Sequence, residues 1–227
     1  ILREFGATQI VNIGDGIEPR IRAFFSYTAI QVGKNKNDLD NKLNMLKFIS
    51  RRFPNGWLYM ANLFEDLKET YSVKECLLEF LRSNTNEEFK QSVWKRLSDI
   101  YFYEGKYINQ MEALLTKCEY KETTLSEISE TAYKLTTYFR EKKLDTLRPD
   151  VRLEIINRLT KLFENNKEFS GATATQLSRL AWLYINKRDL ILAAKVTKLG
   201  LEKDPRNNQC IELAKRLSIP LYASSFE

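Results

Sequence analysis

Histidine is absent from this 227-residue chain, and that absence removes more chemistry than any other feature of its composition. Without an imidazole there is no Ser-His-Asp or Cys-His site, no His-ligated metal centre and no imidazole proton shuttle. Acid-base work would fall to paired carboxylates, Lys or Tyr. Glycine and proline are scarce, at 8 and 5 residues, too few for a strand-rich sandwich and a composition suited to helices. The three cysteines, Cys76, Cys118 and Cys210, lie far apart with no CxxC pair. That argues against a disulfide framework or a zinc site and fits a reducing, intracellular, cytoplasmic setting. No stretch approaches the roughly 20 apolar residues that cross a bilayer; the best uncharged run, Ala23 to Gly33, is broken by Ser26, Thr28 and Gln31. No membrane partner is expected. The chain starts at Ile1, without Met or a signal-like segment, so it is expected to be cut from a longer protein whose other domains hold any activity.

What is present suits a packed helical protein. Hydrophobic residues make up 43% of the chain, enough for a continuous core. The net charge of +6 points to an acidic partner, but it is uneven, at +4 over residues 1–53, −2 over 54–118 and +4 over 119–227. The acidic middle argues against a continuous nucleic-acid stripe.

Residues 1–16, ending in Gly14-Asp15-Gly16, read as a linker or extended lead-in. Pro19 starts a helix to about Val32, and Asp38 caps another reaching Phe53 before Pro54, so that residues 17–53 cap or begin an array. Further helices are predicted at about 56–69, 72–83, 87–104, 107–118, 125–142, 150–165, 174–186, 189–203 and 207–217, followed by a tail at 218–227. Three of these starts have capping-box spacing, Ser72 with Glu75, Thr124 with Glu127 and Thr173 with Gln176, in which hydroxyl and carboxylate or amide satisfy end amides reciprocally. The short joins make neighbouring helices antiparallel hairpins.

Three segments repeat one pattern: Trp57-x-x-Met60-Ala61-x-x-Phe64, Trp94-x-x-Leu97-Ser98-x-x-Tyr101 and Leu177-x-x-Leu180-Ala181-x-x-Tyr184. Offsets of three, four and seven share one helix face, and the small residue lets a second helix approach closely. This pattern resembles the tetratricopeptide repeat (TPR), whose first helix reads W-x-x-L-G-x-x-Y. The last copy also has Ala193, Gly200 and Pro205 at the family's two small second-helix positions and its closing proline. The copies at Trp57 and Trp94 are degenerate, with Val73 and Gln110 where a small residue stands in the family. The resemblance implies an all-α, right-handed superhelical array of antiparallel helix pairs over residues 54–217. The basic segment 207–217 would cap its end.

In that family the first helices line a concave groove. Carried over position by position, the resemblance puts Leu58, Asn62 and Asp66, then Lys95, Asp99, Phe102 and Tyr103, then Ser178, Trp182, Ile185 and Asn186 in the groove. Phe102 and Ile185 read equally well as core. The family's carboxylate clamp is matched only by Asn62 and Lys95, so binding of a chaperone tail is not predicted. Gly14-Asp15-Gly16 lacks a third glycine and a following βαβ unit, and Gly33-Lys34-Asn35 and Gly105-Lys106-Tyr107 lack the rest of a phosphate loop. Glu65-Asp66 and Glu87-Glu88 diverge on a helix and read as solvated or first-turn acids. Arg51-Arg52, Lys142-Lys143 and Lys187-Arg188 read as cations at helix ends.

The sequence therefore points to a non-catalytic helical-repeat module without cofactor or metal. It would bind a protein or peptide as the recognition or regulatory arm of a larger protein. The alternative is nucleic-acid binding, which the pI of 9.1 and the eleven Tyr favour.

Overall fold

The computed structural model describes residues 55–66, 68–83 and 87–220, together with 47, 50 and 51; the side chains of Asp66 and Glu88 lie outside that description. The described residues form α1 (Gly56–Asp66), α2 (Thr70–Arg82), α3 (Glu87–Tyr103), α4 (Tyr107–Cys118), α5 (Leu125–Arg140), α6 (Pro149–Glu164), α7 (Ala174–Lys187), α8 (Leu190–Lys203) and α9 (Asn208–Arg216), with a 3-10 turn at Phe169–Gly171 and no strand among them. The fold of these residues is all-α. Each helix lies within three residues of its sequence-based range. The lead-in at 1–16, the helix from Pro19 and the tail beyond Pro220 lie outside the described residues, while Lys47, Ser50 and Arg51 are helical, inside the predicted 38–53 segment.

Two of the three capping boxes form. Thr124 Oγ1 accepts from the Glu127 amide at 3.3 Å while the Thr124 amide donates to Glu127 Oε2 at 3.1 Å. Thr173 and Gln176 make the same exchange at 3.3 and 2.8 Å. The box at Ser72 does not form. The chain instead turns through Lys68 at φ 59°, and α2 starts two residues earlier, with Glu69 at the N-cap and no side-chain cap bond. Ser72 thus falls inside the first turn.

The described residues divide into two units after Ile100, inside α3. In the first, the short join between α1 and α2 folds them into a hairpin. Its core is Met60 and Ala61 of α1 against Leu77 and Phe80 of α2, all fully buried. Gly56 is required by a close approach: a Cβ there would lie 2.6 Å from Ser50 Oγ.

In the second unit every main packing contact joins helices that are adjacent or next but one in the chain. Thus α4 meets α5 and α6, α5 meets α6 and α7, and α7 meets α6, α8 and α9. The helix with most neighbours, α7, buries Leu177, Leu180, Ala181 and Leu183 completely. Phe163, Leu159 and Ile156 of α6 and Leu135 and Ala132 of α5 complete one continuous core with it. At the far end Gly200 of α8 lets α9 approach, since a Cβ at 200 would sit 2.6 Å from Cys210 Sγ.

Candidate functional site

The packing face of α7 is the template face, with Leu177, Leu180, Ala181 and Tyr184 all buried. The same burial recurs on two helices where the sequence reading found no copy. In α5, Ile128, Thr131, Ala132 and Leu135 are buried at offsets of three, four and seven, and in α9 Cys210, Leu213 and Ala214 are buried with Leu217 half-buried. Ile128 and Cys210 stand where two of the three template segments have Trp, and Thr131 stands where all three have a large apolar residue, which hid the pattern on both helices. Spacing was the available signal: Trp94 to Ile128 is 34 residues and Leu177 to Cys210 is 33.

With that register, residues five, eight and nine places after the first template position share the face beside the packing stripe. They are Tyr133, Thr136 and Thr137 on α5, and Trp182, Ile185 and Asn186 on α7. All six line one groove of about 480 Å³, closed by Glu212 and Arg216 of α9 and by Arg152 of α6. Trp182 and Ile185 pack their inner edges on the core, so the groove has an apolar floor.

Its walls are dominated by guanidinium. Arg140, Arg152, Arg179 and Arg216 line it against a single lining carboxylate, Glu212. Three of them stack on aromatic rings: Arg152 lies 3.9 Å from the Phe139 centroid, Arg216 4.9 Å from Trp182 and Arg179 5.0 Å from Tyr133. Such cation–π contacts hold a long side chain in one orientation. Arg152 also donates to Asn186 Oδ1 at 3.1 Å, and Asn186 in turn donates to the Trp182 carbonyl at 2.8 Å. Arg179 is spent on Glu130 at 2.6 Å and Ser129 Oγ at 3.0 Å.

Of the residues that the resemblance places in a groove, Trp182, Ile185 and Asn186 come together here. Ser178 does not join them. It is fully buried, and its hydroxyl donates to the Thr175 carbonyl and bonds Gln209 Oε1, both at 2.7 Å, which ties α7 to α9. Leu58 is half-buried and Asn62 exposed on α1, Lys95 and Asp99 are exposed on α3, and the Asp66 side chain lies outside the described residues. Phe102 and Tyr103 end α3 at 45% and 85% exposure. Sequence reasoning missed the four arginines, which come from four different helices.

Other chemistry is muted. All three thiols are buried and free, and burial pushes Cys76 up to about 12 and Cys210 up to about 11, so neither is a ready nucleophile. Tyr184 donates to Glu164, and burial together with that carboxylate holds its phenol well above the usual range. No cluster of three metal-ligating side chains occurs among the described residues, and no described helix is long and apolar enough to cross a membrane. A second hollow, near the C-terminal ends of α4 and α6, has Arg158 in its wall, but that guanidinium is already divided between Glu112 and Glu119 at 3.0 and 2.7 Å. No protein-family model and no curated protein sequence matches the chain.

Proposed function

We propose that this chain is a non-catalytic, TPR-like helical-repeat module that binds a segment of another protein in the groove between α5, α7 and α9. The observation that carries the reading is the shared register: equivalent positions of two template helices, Tyr133, Thr136 and Thr137 on one and Trp182, Ile185 and Asn186 on the other, converge on one open face. Packing confined to adjacent and next-but-one helices is how stacked pairs build such a face. An apolar floor flanked by hydroxyl and amide groups suits a peptide, whose side chains need burial and whose backbone needs hydrogen-bond partners. In this reading the chain is the recognition or regulatory arm of a larger intracellular protein, and a right-handed superhelical stack of pairs is the architecture that extends the groove.

A peptide array probed with the labelled chain tests this. Some peptides are held, and Trp182→Ala and the groove-filling Thr137→Trp both abolish their binding while the helical circular dichroism stays intact. Binding that survives both substitutions, or an array without hits, overturns the reading.

A further inference from the structure

The groove's charge goes beyond what peptide binding requires. Arg140, Arg152 and Arg216 line it, yet none of the three forms an ion pair with a carboxylate among the described residues; the ion pair in this wall belongs to Arg179. Glu212 stands one helical turn before Arg216 and lines the same groove, leaving an excess of positive charge along it.

From this we propose that the occupant is an acidic peptide segment whose Asp or Glu side chains are taken by Arg152, Arg216 and Arg140; the proposal rests on the reading of the groove as a peptide site. Two of these guanidiniums are set before any ligand arrives, Arg152 by the Phe139 ring and the Asn186 amide, Arg216 by the Trp182 ring. Pre-set side chains lose little rotamer freedom on binding, and the planar fork pairs with a carboxylate through two parallel hydrogen bonds. Arg152 is half-buried, so a pair made there is screened less by salt than the surface pairs that exposed Arg140 and Arg216 would make.

The same stacking argues against a nucleic-acid strand. Bases need open aromatic faces, whereas Phe139, Trp182 and Tyr133 each carry a guanidinium on one face. Trp182 and Ile185 give the same groove an apolar surface on which an aliphatic or aromatic side chain can pack beside the carboxylates. The segment is therefore one in which acidic residues alternate with apolar ones.

Fluorescence anisotropy on the whole chain at physiological salt tests the proposal. The probes are a 12-residue Glu/Leu peptide, its Gln/Leu and Lys/Leu counterparts, all amidated to remove the terminal carboxylate, and a 12-nucleotide oligo-dT. The Glu peptide binds at least about tenfold more tightly than the Gln peptide, and the Lys peptide does not bind. Combining Arg140→Gln, Arg152→Gln and Arg216→Gln removes the preference for the Glu peptide over the Gln peptide. Equal binding of Glu and Gln peptides, lost in Trp182→Ala, overturns the acidic preference and leaves the peptide groove standing. Failure of all peptides overturns both, and tighter, steeply salt-dependent binding of oligo-dT replaces them with the nucleic-acid alternative. The comparison among probes on the unaltered chain decides the question even where the triple variant is poorly folded.

Discussion

Gly200 sits inside α8, where Ala would ordinarily gain about 1 kcal/mol of helix propensity. A Cβ there meets Cys210 Sγ at 2.6 Å, and overpacking of this kind costs about 1–3 kcal/mol. Gly200→Ala is expected to lower stability in urea unfolding, whereas the same change in a Cys210→Ala background raises it relative to Cys210→Ala alone. A sign that stays the same in both backgrounds would place the close approach elsewhere. Glu127 offers a pH-dependent counterpart. Burial alone would raise its carboxyl, but the Lys117 ammonium, the Thr124 amide and the Thr124 hydroxyl outweigh that and hold it below the usual carboxylate range. A depressed folded-state value favours the folded chain above the unfolded carboxyl value and loses that contribution as pH falls through the folded one. Stability therefore falls on acidification below about pH 4.5, and Glu127→Gln makes that acid limb shallower in unfolding measured from pH 7 to pH 3.

Local chemistry at helix starts explains the elements. Thr124 and Thr173 have extended backbone, with their hydroxyls facing the third amide, so Thr124→Ala and Thr173→Ala are each expected to cost about 1 kcal/mol. Ser72→Ala is expected to change stability by less than about 0.5 kcal/mol, because no cap bond is lost there. Equal losses at all three positions in denaturant unfolding would contradict the helix start at Thr70. The three positions look alike in sequence. What separates them is the left-handed turn at Lys68, which commits the chain to helix before it reaches Ser72.

Across the second unit the core is continuous and the groove lies at its edge. Phe163 is fully buried within that core, and Phe163→Ala is expected to cost about 3–5 kcal/mol in urea unfolding followed by circular dichroism. Tyr103 is 85% exposed, and Tyr103→Ala should stay within about 0.5 kcal/mol. The same contrast between core and edge decided how much of the site was legible. Trp182, Ile185 and Asn186 could be placed because the copy at Leu177 is well formed, while Ser178, beside them in sequence, is covered by Gln209 of α9. Tyr133, Thr136 and Thr137 were hidden because Ile128 and Thr131 obscure the register of α5. Arg152 lies on α6, outside the first helices of the pairs, and only the packing of α6 against α7 brings it to Asn186.

The sequence by itself determined that these residues form helices, nearly where each begins and ends, and that no imidazole chemistry is available. Those properties depend on composition, on an apolar period close to 3.6 and on caps reaching a few residues along the chain. Only the tertiary structure decided that α5, α6, α7 and α9 present one groove and that Arg152 and Arg216 stand over aromatic rings there without a partner carboxylate among the described residues. Residues far apart in the chain carry no local mark of sharing a face; packing around α7 brings them there.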